Sequence, residues 1–158
     1  MTLLRRDPSA PQNWQGEMPI ANRYTYGIAG ERFFRAIQEE GRIMGTYCSN
    51  CDHTYVPAAA FCERCMNQLD EWVDVGTTGE VVTFTHLYIN MDDSPKDKPE
   101  TVAFIRLGDG GLIHRLVVDN PSNLTIGMHA EIVFKPLDER KGSILDIDYF
   151  QLISEEQN

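Results

Sequence analysis

A chain of 158 residues with 42% apolar content is ordinary for a globular protein and long enough for one medium domain or two small ones. Its formal net charge of −10 argues against a nucleic-acid-binding role, because a phosphate binder normally presents a basic face and the lysines and arginines here are scattered and outnumbered. No run of 18 apolar residues occurs, so no membrane-spanning helix is expected, and Met1 to Pro11 carries Arg5 and Arg6 without the apolar stretch of a signal peptide, so a cytoplasmic location is expected.

Met1 to Gly30 reads as an arm punctuated by Pro8, Pro11, Pro19, Gly16, Gly27 and Gly30. It also holds Trp14, Tyr24 and Tyr26, more aromatic surface than a solvated tail needs, so these residues pack either on the protein itself or on a partner. Glu31 to Glu40 predicts a short helix with Phe33, Phe34 and Ile37 on one face, Glu31 at the positive end and Gly41 placed to terminate it. Ten residues do not hold a helix alone, so that face must dock. Ile43 to Tyr47 then reads as a short strand.

Cys48 and Cys51 follow, and after ten intervening residues come Cys62 and Cys65, which together are every cysteine in the chain. A two-residue gap lets two thiolates from one tight turn aim at a common point, and two such turns supply four soft anionic ligands in the tetrahedral arrangement that suits zinc. The stretch from Asp52 to Phe61 is long enough to run out and back as a hairpin, which is the layout of a zinc ribbon. Two disulfides are disfavoured in a reducing compartment. Iron in a rubredoxin-like site is the serious rival, although Asp52 and Met66 stand where rubredoxin knuckles usually carry glycine. His53 reads as a surface or supporting residue, since four thiolates already complete the shell. Leu69 to Val75, with Trp72 and Val73, reads as the last ribbon strand.

From Gly76 the composition becomes all-β. Strands are predicted over Gly79 to Ile89, Thr101 to Leu107, Leu112 to Asp119, His129 to Pro136 and Ser143 to Ile153. Asn90 to Glu100, with Lys96 and Lys98, reads as a polar loop, and Gly108 to Gly111 as a tight turn. Five strands with the longest connection between the third and fourth point to a small Greek-key barrel of OB type, with a β-sandwich as the alternative. The fold class is therefore mainly β, and the chain divides as 1–45 arm and helix, 46–75 ribbon and 76–158 barrel.

A catalytic set is hard to find. No cysteine remains for nucleophilic work once a metal is bound, and no G-x-S-x-G elbow, Walker A loop or G-x-G-x-x-G fingerprint occurs. His86, His114 and His129 fall in or beside strands, and Asp146 with Asp148 reads as a solvated face. Four thiolates leave zinc no open position for a substrate water.

The chain resembles the DUF35 family. The resemblance is carried by Glu39-Glu40-Gly41-Arg42 at the helix end, Cys-Ser-Asn-Cys, Val56-Pro57 before Cys-Glu-Arg-Cys, the run Gly79 to Thr85, and Ile126-Gly127-Met128, and it covers about Glu31 to Ile153. It implies a helical segment, a rubredoxin-like zinc ribbon with structural zinc on Cys48, Cys51, Cys62 and Cys65, and a C-terminal OB-fold. It further implies assembly with a thiolase-like enzyme that carries the catalytic cysteine and acts on acyl-CoA, including small subunits of heteromeric thiolases such as benzoylsuccinyl-CoA thiolase. On that basis Tyr24, Tyr26, Phe33 and Phe34 are expected to meet the partner subunit of a hetero-oligomer, and Lys96 and Lys98 to meet CoA phosphates. No nucleic acid and no membrane are expected as partners. Three classes stay open: a noncatalytic accessory subunit, a nucleic-acid-binding ribbon–barrel module, and a rubredoxin-like electron carrier.

Overall fold

A computed structural model describes residues 24–90 and 92–153; Trp14 and the arm before Tyr24 lie outside the described residues. Helix α1 spans Gly27–Glu40, one turn longer at its start than the residue pattern predicts. Glycines 27 and 30 read as breaks, but Gly30 lies inside the helix, where Tyr26 comes too close for a side chain. A Cβ at position 30 would sit 2.5 Å from the Tyr26 Cβ. Gly41 ends the helix in the left-handed conformation, with its N–H donating to the Ile37 carbonyl and that of Arg42 donating to Ala36.

Three short strands follow: β1 (Met44–Cys48), β2 (His53–Tyr55) and β3 (Glu71–Asp74), arranged β2-β1-β3 and antiparallel throughout. Thr46 in the central strand is fully buried and uses its hydroxyl both to donate to the Ala59 carbonyl and to accept from the Ala59 N–H, each at 2.9 Å. One side chain thus fixes the loop that leads to the second cysteine pair.

The remaining strands are β4 (Thr78–Ile89), β5 (Pro95–Leu107), β6 (Gly110–Val117), β7 (His129–Phe134) and β8 (Ile147–Leu152). They close into a barrel in the order β4-β5-β6-β8-β7, antiparallel except for the β6–β8 pair. This is the five-stranded OB arrangement. Two details correct the sequence reading. The segment predicted as a loop over 90–100 is mostly strand: β4 and β5 pair as far as Ile89 and Pro95, leaving a turn at Asn90 to Ser94 closed by an Asn90 N–H to Ser94 carbonyl bond. Prolines 95 and 99 are tolerated because β5 pairs with β6 only from Thr101 onward, so this part of the strand has a ladder neighbour on one side only.

The second correction concerns Asp146, which is buried rather than solvated. Its carboxylate accepts backbone N–H bonds from Lys141, Gly142 and Ser143 at 2.7–3.2 Å and completes a capping box over a short 3-10 turn, Ile144–Asp146. Burial alone would push this carboxyl up, but the three N–H donors outweigh it and hold the group below the ordinary aspartate range. The stability it contributes is present above that range and is lost as pH falls through its folded value.

The main core is continuous across all three expected segments. Phe33 and Ile37 of α1, Ile43, and Val56 of the ribbon pack in one cluster with Val81, Ile105, Leu112, Leu116, Ile132 and Phe150 of the barrel. The docking face that a short helix requires is therefore met within this chain. Arg140 secures the helix end from the β7–β8 connection. Its Nη1 donates to the Ile37 and Gln38 carbonyls at 3.3 and 3.4 Å and its Nε to the Lys135 carbonyl at 2.7 Å. A cation placed at a helix C-terminus is favourable, and α1 has no basic residue of its own in its last turn.

Candidate metal centre

The two cysteine pairs come together at the tip of the ribbon. Cys48 ends β1, and Cys51 follows it through a turn closed by its own N–H donating to the Cys48 carbonyl. Cys62 and Cys65 lie on a second turn, held by Cys62 N–H to Asn67 carbonyl and Met66 N–H to Cys62 carbonyl bonds of 2.8 Å each. The departures at Asp52 and Met66 prove harmless to this geometry. Both residues adopt positive φ, 48° and 60°, and so take the conformation that glycine usually supplies. The Tyr47 hydroxyl donates to the Asp52 carboxylate at 2.7 Å and helps hold that strained residue.

All four sulfurs lie within 4.8 Å of one another, with Cys48–Cys65 at 3.6 Å and Cys51–Cys62 at 3.7 Å. A tetrahedral zinc with Zn–S bonds of about 2.3 Å requires sulfurs roughly 3.8 Å apart. The same separations are far above a covalent S–S bond of about 2.05 Å, and the cysteines are free thiols. Cys48 and Cys62 are buried, while Cys51 and Cys65 are half-buried at the outer edge.

Crowding divides the four thiols. Cys62 is brought down to about 6, first by the Tyr55 hydroxyl, against burial, with help from the Cys65 and Arg64 N–H groups. Cys65 also lies below an ordinary thiol, chiefly through the Asn67 N–H. Cys51 is pushed up to about 12, first by its contact with Cys65 and then by burial, and burial raises Cys48. The site thus accepts negative charge readily at Cys62 and Cys65 and resists it at Cys48 and Cys51, and a bound cation is what would let all four ionise together. The donor set, spacing and burial fit a closed, structural metal site.

The ribbon rests on the barrel through the β5–β6 turn. The Thr54 N–H donates to the Asp109 carboxylate at 2.8 Å, and the Gly111 N–H donates to the Val56 carbonyl at 3.1 Å. Gly110 permits this approach, because a Cβ there would stand 2.5 Å from the Val56 carbonyl oxygen. His53 lies 3.6 Å from Asp109 and edge-on to Tyr55, so it supports the ribbon and is not a ligand.

The other expected site residues separate into distinct surroundings. Tyr24 and Tyr26 are exposed, at 88% and 64%, and Ile28 beside them at 86%. Phe34 is half-buried between Tyr26 and Phe33. Phe33, only 1% exposed, is a correction: it belongs to the core and has no surface to offer a partner while α1 is docked. Lys96 and Lys98 sit in β5, not a loop; Lys96 pairs with Glu100 at 3.1 Å, and Lys98 is exposed. An open groove of about 780 Å³ between the β6–β7 connection and β8 contains His129 and Asp119 but no cysteine. Sequence reasoning did not single out Tyr55, Arg140 or the Asp109 contact, because each depends on which distant backbone it meets.

A four-thiolate ribbon joined to a five-stranded OB barrel defines the class of protein. The model of the ChsH2 rubredoxin-like zinc ribbon domain matches residues 36–68, and that of the ChsH2 C-terminal OB-fold domain matches residues 72–135. A DUF35 domain-containing scaffold protein of Methanocaldococcus jannaschii is 31% identical over 110 residues, covering 68% of this chain and 78% of the relative. Among solved structures, a DUF35 family protein of unknown function from Sulfolobus solfataricus matches with a TM-score of 0.61 at 25% identity, over 80% of this chain and 84% of that one. The Ltp2-ChsH2(DUF35) aldolase shares the fold, with a TM-score of 0.56 at 22% identity over 75% and 92% of the two chains. The chain belongs to the DUF35 family. No helix among the described residues is long and apolar enough to cross a membrane.

Proposed function

We propose that this protein is a noncatalytic, zinc-binding accessory subunit that assembles with a thiolase-like enzyme acting on acyl-CoA substrates. The observation that carries the reading is the closed four-thiolate centre, which uses every cysteine and leaves the metal no position for a substrate. A DUF35 relative described as a scaffold protein, and a fold neighbour that is the DUF35 component of an aldolase, support an accessory role. The finer assignment is the small subunit of a heteromeric thiolase of the benzoylsuccinyl-CoA type, working in the cytoplasm.

In this reading the segments divide the labour: 1–45 docks, 46–75 is the metal-held brace, and 76–158 is the barrel. The docking edge is Tyr24, Tyr26 and the outer part of Phe34, with Ile28 added and Phe33 withdrawn to the core. Interfaces favour such aromatic anchors, and a few of them carry most of the binding energy. The β4–β5 hairpin faces the acyl-CoA, with the exposed Lys98 meeting a phosphate and Lys96 available only by leaving Glu100. The nucleic-acid reading gains nothing from the barrel surface, where Arg106 is paired with Glu80 and Arg115 with Asp148.

The test is co-elution with the catalytic subunit. Changing Tyr24 and Tyr26 together to Ala should weaken the complex at least tenfold, since each hot-spot aromatic contributes about 1–2 kcal/mol or more. Metal content should stay at one per chain. Unchanged affinity would place the interface elsewhere.

A further inference from the structure

We infer that Tyr55 tunes the metal centre through a hydrogen bond from its hydroxyl to the Cys62 thiolate, which lowers the donor strength of that ligand. The inference rests on reading the four cysteines as a metal site. Tyr55 ends β2 opposite Thr46, and its ring is braced edge-on by His53 at 4.8 Å. Its phenolic oxygen lies 3.2 Å from the Cys62 sulfur and 3.1 Å from the Glu63 nitrogen. The Glu63 N–H has only its proton to give, so the oxygen accepts there. The hydroxyl's own single proton is then left for the sulfur. Cys62 is fully buried, so water does not compete for that sulfur.

Among the described residues this is the one hydroxyl within hydrogen-bond distance of a cysteine sulfur. Among the described residues the other sulfur contacts are with sulfurs or with backbone and amide N–H groups. A hydrogen bond to a metal-bound thiolate draws electron density from the sulfur and fixes its orientation, as partners of metal ligands generally do. Four chemically identical ligands become unequal, with Cys62 carrying the one hydroxyl donor among the described residues. Because β2 is itself bonded to Asp109 of the barrel through Thr54, the tyrosine also ties the second cysteine turn to the barrel.

The experiment uses the full chain loaded with Co²⁺, whose thiolate-to-metal charge-transfer band reports the electron richness of the sulfurs. Tyr55→Phe should move that band to longer wavelength while the ligand-field bands keep their tetrahedral position. Placing 3-fluorotyrosine at position 55, a stronger donor of nearly the same shape, should move it to shorter wavelength. Opposite shifts in the two chains support the inference. A band that stays fixed with 3-fluorotyrosine overturns it, including where the phenylalanine chain fails to hold cobalt. Failure of the unaltered chain to bind Co²⁺ would overturn the metal reading itself, a result distinct from an unmoved band.

Discussion

A Cys62→Ser chain should lose its metal and, with it, the ordered ribbon. The three ribbon strands have only five, three and four residues, and the buried cluster beneath the metal consists of Cys48, Cys62 and Leu69. A core that small does not offset the conformational entropy of ordering the segment, so the metal must stand in for it. Structural zinc supplies on the order of 10–16 kcal/mol of apparent binding energy in small domains. Removing one thiolate opens the shell and leaves three sulfurs crowded without their cation. Metal analysis should fall from one per chain to well below that, and the amide protons of β1 to β3 should exchange freely. The barrel strands should keep their β-type circular dichroism, because their hydrogen bonds close on each other. A serine variant that retains full metal and full ribbon protection would refute the structural role. The same metal analysis on the unaltered chain separates zinc from iron, since an iron–thiolate site absorbs visible light, and so tests the electron-carrier reading.

The second large effect is expected at Phe33. Truncation to alanine removes a large side chain from the point where helix, ribbon and barrel share one core. Burying a phenylalanine is worth about 3–5 kcal/mol when the cavity cannot collapse. Against a typical total of about 5–15 kcal/mol, this is a large share. For a chain of this size it corresponds to a fall in Tm of roughly 6–20 °C. Because Ile37, Ile43 and Val56 join the same cluster, helix and barrel should weaken together. A fragment beginning at Gly76 would keep the barrel strands but lose these four side chains, and it should melt below the full chain. A Phe33→Ala chain with an unchanged Tm would show that α1 is not part of the common core.

The metal centre was legible in the sequence because its information is local. Two C-x2-C turns announce their own geometry, and the missing glycines at Asp52 and Met66 are compensated by residues that accept positive φ. The barrel strands were legible from β-rich runs between turn residues, which is again a near-neighbour signal. What escaped was long-range. Lys96 and Lys98 look like loop residues until β4 is seen extending to pair with β5. Asp146 looks like half of an exposed pair until three backbone N–H groups converge on it. Phe33 and Phe34 are adjacent in sequence, yet the helix turns one into the core and leaves the other at its edge. Nor does composition reveal that Arg140, about a hundred residues away, caps α1.

The most direct test of the accessory role is to purify the chain from its native source, identify what co-elutes with it by mass spectrometry, and assay acyl-CoA turnover by each component. The account predicts co-elution with a thiolase-like subunit carrying its own reactive cysteine, turnover by the complex, and none by this chain alone at full metal content. Turnover of acyl-CoA by the isolated chain, or its elution free of any such subunit, would contradict it.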